Sequence, residues 1–408
     1  MCQPPAAERP VRVAFATLGC RLNQVDTEGM KAALPAAPPC MVVPWEAVAD
    51  VYVLNSCTVT GKADQKCRQM ARAVKRRAPQ ARVVVVGCYA QTQPDQVQGI
   101  AGVDAVIGNP AKDDPAAWLP AVLAATERTP LVRVGPFVRR PPFRAPRIAQ
   151  FAGHARAFVK VQDGCDLRCA YCVIWRARGP ARSRPVAEVV AQAAALRAAG
   201  FHELVLAGVN LGSYGRDLGG RDGGGADGGL AGLVAALLDA EPGLRVRLSS
   251  LHPNEATPAL LALLARSPRL RPHLHLSLQS GADAVLSRMR RPYRADAARL
   301  VARAALDARP GCALGADVIV GFPGETDAEF AQTRDLLAEL PLAYLHVFRF
   351  SPRPGTPAAA MPHQVAPSVV TERAEELRRL SRRLRRAFEA RLPGSRRGVA
   401  EGEGSQSR

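Results

Sequence analysis

Apolar runs of strand length alternate along this chain with longer stretches of helical periodicity. VRVAFATLG (11–19), ADVYVLNS (49–56) and ARVVVVG (81–87) are nearly continuous hydrophobic runs. A strand buried on both faces reads this way, because neither face needs polar residues. GKADQKCRQMARAVKR (61–76), between the second and third, carries its polar residues on one helical face. A second series begins at AFVKVQ (157–162), which alternates like a half-buried strand. Helix 185–199, strand 202–208, helix 229–240, strand 244–250 and helix 256–266 follow. Strand 274–279, a helical stretch around 283–307, strand 313–321, helix 327–339 and strand 343–350 complete it. Strands alternating with helices predict parallel sheets covered on both faces. The six strand–helix units of the second series suit an open partial barrel better than a closed eightfold one.

Between the two series, residues 130–150 are rich in Pro and Arg and predict a linker. A glycine-rich stretch, 215–229, reads as a flexible surface insertion. A terminal helix, about 364–390, sets leucines 377, 380 and 384 against a strongly basic outer face. At 408 residues, with 48% hydrophobic content, the chain is long enough for two or three folded domains. No segment approaches the roughly 18 apolar residues of a membrane span. Residues 1–30 hold no apolar block after a basic stretch, so no export signal is expected and the expected location is cytoplasmic.

The formal net charge is +19, and the excess is arranged in blocks. Residues 62–82 hold eight Lys or Arg against one acid, Asp64. Residues 128–162 hold eight bases and no acid, and 372–397 hold ten Arg against four Glu. Such blocks predict a polyanion partner, nucleic acid above all.

The chemistry concentrates on cysteine. Ten cysteines in a large chain without an export signal read as metal-binding or buried thiols rather than disulfides. Cys165, Cys169 and Cys172 form a CxxxCxxC loop directly after strand 157–162. Three thiolates without a fourth suit an iron–sulfur cube with one iron left open. A zinc site completed by a remote ligand is the alternative on spacing alone. Cys20, Cys57 and Cys88 each close one of the first three strands. In open α/β sheets the ligand crevice lies at the strands' carboxyl ends, so these three are expected to converge on a second cluster. Buried small hydrophobes are the alternative there. Cys67 and Cys312 read as structural, and Cys2 and Cys40 carry no pattern.

CxxxCxxC with Tyr171 before its last cysteine resembles the radical S-adenosylmethionine superfamily. Over nearly its whole length the chain resembles that superfamily's methylthiotransferases. The resemblance rests on TLGCRLNQVDTE (17–28), LNSCTVTGKADQKCRQ (54–69), VGCYAQ (86–91), VQDGCDLRCAYC (161–172) and RGPARSR (178–184). It continues through LAGVNLGSYG (206–215), LSSLHPNE (248–255), HLHLSLQSGADAVLSRMRRPY (273–293), DVIVGFPGETDAEF (317–330) and FRFSPRPGTPAA (348–359). CRLNQVDTE (20–28) and especially CTVTGKADQKCRQ (57–69) resemble the branch that modifies threonylcarbamoyladenosine in tRNA, and Thr58–Val59–Thr60 fits neither of the other two branches. The branches acting on isopentenyladenosine or on a ribosomal-protein side chain are the enzyme alternatives. A non-catalytic metal-containing RNA-binding protein is the alternative of another class.

The resemblance implies an α/β fold class: an N-terminal flavodoxin-like parallel-sheet domain (1–128), a basic linker (129–150), a radical S-adenosylmethionine partial (β/α)6 barrel (151–363) and a basic C-terminal helix and tail (364–408). The family generally ends in a small RNA-binding β-barrel, and 388–402 resembles only its opening, so that barrel is expected to be missing or truncated here. Two 4Fe–4S clusters are implied. One, on Cys165, Cys169 and Cys172, binds S-adenosylmethionine; the other, on Cys20, Cys57 and Cys88, presents a methylated sulfur. The adenine C–H to be replaced is neither usefully acidic nor nucleophilic, so radical chemistry is required. Contacts to S-adenosylmethionine are implied for Gly208, Asn210, Gln279, Ser280, Gly321 and Glu325. Arg178, Arg182 and Arg184 are candidates to hold a carboxylate or phosphate, with a solvated basic loop as the alternative. Trp175 stands where the family usually has proline, which puts the local loop shape in question. His273 and His275 read as core histidines rather than metal ligands. The implied partners are tRNA and an electron donor such as flavodoxin or ferredoxin, and no membrane.

Overall fold

The computed structural model describes residues 9–126, 129–138, 143, 148, 151, 155–219 and 228–392. Cys2, the middle of the glycine-rich insertion, most of the linker and the tail from 393 lie outside the described residues. The chain forms two compact units, 1–249 with 351–360, and 250–350 with 361–408.

In the first unit the strands β1 (Val11–Thr17), β2 (Cys40–Val43), β3 (Val51–Ser56), β4 (Arg82–Gly87), β5 (Ala105–Ile107) and β6 (Leu131–Arg133) form one sheet. Its order is β2-β1-β3-β4-β5-β6, and every pairing is parallel. Alternate residues of β3 and β4 enter two separate cores, as the two-residue period of a strand requires. Tyr52, Leu54, Val83 and Val85 pack with Cys67, Ala71 and Val74 of the helix Gly61–Arg77. Val51, Val53, Val84 and Val86 pack with Met30 and with Trp118, Leu119 and Val122 of the helix Pro115–Ala124. Burial on both faces explains why these strands read as unbroken apolar runs.

β6 belongs to this sheet, although its residues fall in the stretch expected to be linker. Three residues are too short for a periodicity to register. Further on, Ile148 is buried and exchanges both backbone hydrogen bonds with the Gln192 side chain.

The same unit contains β7 (Ala157–Lys160), the short antiparallel pair β8 (Gln162–Asp163) and β9 (Arg182–Ser183), and β10 (Glu203–Ala207) and β11 (Arg245–Leu248). β7, β10 and β11 make a parallel three-stranded sheet in the order β11-β10-β7.

The second unit holds a parallel sheet in the order β12 (Ser250–Leu251), β13 (His273–Gln279), β14 (Ala313–Val320) and β15 (Tyr344–Arg349). The single helical stretch expected around 283–307 is two helices, Asp283–Arg288 and Asp296–Ala308. Arg290, at φ 58, and Pro292 break it, since neither conformation continues a helix. The helix Pro367–Arg391 buries Ala374, Leu377 and Leu380.

Candidate functional site

Cys20, Cys57 and Cys88 sit just past the carboxyl ends of β1, β3 and β4, three adjacent strands. Gly19, at φ 98, makes their approach possible: a Cβ there would stand 2.4 Å from Cys57 Cβ and 2.6 Å from its sulfur. Gly87, at φ 94, does the same before Cys88, where a Cβ would meet Asn55 Oδ1 at 2.6 Å. The three thiols are close enough to feel one another. Burial, reinforced by Cys20 and Cys88, pushes the Cys57 thiol up to about 12. Burial also raises Cys88, with Arg178 opposing the shift and Cys20 adding to it. All nine described cysteines are free thiols.

The surroundings suit a sulfur-bound cluster. Asn109 Nδ2 donates to Cys88 Sγ at 3.6 Å, and the Val59 amide donates to Cys57 Sγ at 3.5 Å. Asn109 Oδ1 is buried without a hydrogen-bond partner among the described residues. Beside the thiols lies a buried charge network. Asp26 accepts from Lys160 at 2.6 Å and Arg178 at 2.9 Å and pairs with Lys112 at 3.2 Å. Asp163 takes Arg178, Arg182 and Lys160 at 3.0, 3.1 and 3.3 Å. Asp113 completes it on Lys112. Asp26, Asp113 and Asp163 thus face Lys112, Lys160, Arg178 and Arg182, one cation in excess. Arg178 is electrostatically coupled to all three thiols, so the excess favours thiolates. Burial opposes ionisation of Asp26, but Lys112, Lys160 and Arg178 more than offset it and hold its carboxyl well below the usual range.

Cys165, Cys169 and Cys172 lie on an irregular loop pinned at several points. The Cys165 amide donates to Gly179 O, the Cys172 amide to Cys169 O, and Ala358 N to Ala170 O. Gly164, at φ 73, faces Pro180 O so closely that a Cβ would lie 1.9 Å from it. The Ile174 amide donates to Cys172 Sγ at 3.4 Å. Gln162 ties this loop to the next: its Nε2 donates to Gly164 O at 2.8 Å and its Oε1 accepts from Asn210 N at 2.9 Å. A Cβ at Gly208 would crowd the same glutamine at 3.0 Å.

The first unit therefore holds both cysteine trios with Gly208 and Asn210, while Gln279, Ser280, Gly321 and Glu325 lie in the second. Gln279 ends β13 at φ 70, a strained conformation for a side-chain-bearing residue, beside a register irregularity. Ser280 bonds Thr333 at 3.0 Å. Glu325 accepts from Gly321 N at 2.8 Å and from Arg373 at 2.7 Å.

Residues 12–108 match the model of an uncharacterized protein family, UPF0004, and 159–337 match the radical SAM superfamily. The threonylcarbamoyladenosine tRNA methylthiotransferase MtaB of Bacillus subtilis (strain 168) is 38% identical over 377 residues, spanning 92% of this chain and 81% of the relative. The protein of the same name from Aquifex aeolicus (strain VF5) is 38% identical over 378 residues, spanning 93% and 90%. The chain belongs to the threonylcarbamoyladenosine tRNA methylthiotransferase family. It is a radical S-adenosylmethionine enzyme. Among solved structures, the radical S-adenosylmethionine methyltransferase TsrM from Kitasatospora setae superposes with a TM-score of 0.64 at 14% identity, covering 86% of this chain and 74% of that one. That likeness concerns the fold.

In this methylthiotransferase the tryptophan at the family's usual proline position is stacked. The Arg168 guanidinium, from within the CxxxCxxC loop, lies 3.8 Å from the Trp175 ring centroid, a cation–π contact that braces the loop. Arg178 is not available to a substrate anion, because Asp26, Asp163 and Asn23 already hold it. Periodicity gave no sign of Asn23, Asp26, Asn109, Lys112 or Gln162. Each lies within a few residues of a strand end or a cysteine, and that proximity was the usable signal.

Proposed function

We propose that this enzyme converts threonylcarbamoyladenosine in tRNA to its 2-methylthio derivative, the activity named for its relatives. The observation that carries the reading is the meeting of Cys20, Cys57 and Cys88 at three adjacent strand ends, in the unit that also carries Cys165, Cys169 and Cys172. In this reading each trio would hold one 4Fe–4S cluster through its three sulfurs. When bound, the clusters and S-adenosylmethionine supply one-electron reduction, a radical able to break an unactivated C–H bond, and a methylated sulfur.

The chain's own residues provide the rest. Arg178 and its network offset thiolate charge, and the Asn109 and Val59 N–H groups steady the sulfurs. Gln162 fixes the spacing between the CxxxCxxC loop and residues 208–210, where S-adenosylmethionine is expected. Within the second unit, Gln279, Ser280, Gly321 and Glu325 are the further candidates for cofactor contact in this reading, with Glu325 acting by holding the Gly321 amide.

The all-parallel order β2-β1-β3-β4-β5 supports a flavodoxin-like N-terminal domain, extended by β6 to Arg133. A connecting segment to 150, the partial barrel 151–363 and the basic segment 364–408, which contains the helix Pro367–Arg391, follow in this division. The partners are tRNA and a low-potential electron donor such as flavodoxin or ferredoxin. Among the described residues no helix is long and apolar enough to cross a membrane. Mass spectrometry of tRNA nucleosides from cells with and without the gene tests the proposal. Loss of methylthio-threonylcarbamoyladenosine supports it. An unchanged level, with loss of another methylthiolated product, overturns the substrate.

A further inference from the structure

On the second unit's sheet, Asp317 of β14 stands directly opposite His346 of β15, and His275 of β13 is paired with Gly315, two residues before Asp317. The two-residue period puts all three side chains on one face. His275 Nε2 lies 2.8 Å from Asp317 Oδ1, and His346 Nδ1 lies 3.2 Å from the same oxygen. The three donor atoms all fall within 4.8 Å of one another. Ligands bound to one ion at about 2.0–2.2 Å stand about 3 Å or slightly more apart.

The support behind the cluster is built as well. Tyr344 OH lies 3.0 Å from His275 Nδ1 and 2.8 Å from His273 Nε2. Gly315 clears the space for this pair: a Cβ there would meet Tyr344 Cζ at 2.3 Å and His275 Nδ1 at 2.7 Å. With His275 Nε2 ligating, its Nδ1–H donates to the Tyr344 oxygen, and the Tyr344 hydroxyl donates to His273 Nε2. The two histidines read from sequence as core are thus joined in one chain that fixes the ligand's tautomer, as metal-bound imidazoles require.

We propose that His275, Asp317 and His346 form a site for one divalent transition-metal ion, with zinc as the ligand of choice. Two imidazoles and a carboxylate suit zinc or iron(II), whereas magnesium and calcium require oxygen ligands throughout. Three protein ligands leave a position open, as in zinc sites that bind water or a substrate group. The His346 side chain is 51% exposed, which gives the ion a route in. The inference does not rest on the proposed tRNA activity, and its test reads zinc separately from iron and sulfide.

The test uses tag-free holoenzyme with both clusters reconstituted under anaerobic conditions, incubated with Zn2+ and dialysed. Elemental analysis is expected to find about one zinc per chain. H346A and D317N are expected to lose that zinc with iron and sulfide unchanged, and Tyr344→Phe to weaken zinc about 10–100-fold. X-ray absorption at the zinc edge is expected to show only N and O neighbours. Wild-type zinc below about one-tenth equivalent, zinc retained by both H346A and D317N, or sulfur neighbours at zinc would each overturn the proposal.

Discussion

Arg178 donates to Asp26 at 2.9 Å across 152 positions of sequence, joining the helix after Cys20 to the segment after the CxxxCxxC loop. Both side chains are buried, 3% and 0% exposed, so neither can fall back on water. Removing the Arg178 guanidinium leaves the Asp26 carboxylate on Lys112 and Lys160 alone, and each charged hydrogen bond lost costs about 1.5–3 kcal/mol. Arg178→Met is expected to lower the melting temperature, with Arg178→Lys recovering part of the loss. An unchanged melting curve for Arg178→Met would count against the network's role.

The same carboxylate sets a pH dependence. Because the folded Asp26 pKa is depressed below the ordinary 3.8, its stabilisation is complete above that value. It is lost as pH falls through the lower folded value. Denaturation profiles between neutral pH and about pH 2 should therefore steepen below the ordinary 3.8 for wild type. Asp26→Asn should flatten that limb while lowering stability at neutral pH.

Single replacement of Cys20, Cys57 or Cys88 by Ala is expected to abolish methylthiolation. Anaerobic iron content should drop from about eight to about four per chain. Full iron with full turnover in any one variant would show that its sulfur is not a ligand.

Before any cluster is loaded, the trio should react unevenly. Cys20 is exposed, whereas Cys57 and Cys88 are buried. A Cys57 thiol near 12 instead of 9.0 holds about 10³-fold less thiolate at neutral pH. Iodoacetamide with peptide mass spectrometry should label Cys20 first and Cys57 far more slowly. Equal rates would contradict the burial described for Cys57 and Cys88.

Arg353 is buried and donates to both Asp64 and Thr58, the residue after Cys57. Arg353→Ala leaves the Asp64 carboxylate buried without its cation, at a cost of about 3–5 kcal/mol. Hydrogen exchange should rise both at 57–60 and at 351–360. Protection unchanged at 57–60 would mean the cysteine loop holds itself.

Strands buried on both faces and long helices were legible in the sequence, as the match between ARVVVVG and Arg82–Gly87 illustrates. Cys40–Val43, Ala105–Ile107 and Leu131–Arg133 were not, because three or four residues carry no period. Both cysteine trios were visible as residues, and their setting was not. The basic blocks mislead in part: Lys160 and Arg373, counted toward a polyanion footprint, are buried on internal carboxylates. A one-dimensional charge count cannot tell a solvated cation from one neutralised by an aspartate more than a hundred residues away.

The double attachment of Gln162, to Gly164 on one side and Asn210 on the other, makes two stretches of chain mechanically one part. Exchanging residues 206–215 alone for those of another branch should misalign the cysteines upstream. A chimera that keeps its chemistry has to carry 161–172 and 206–215 together.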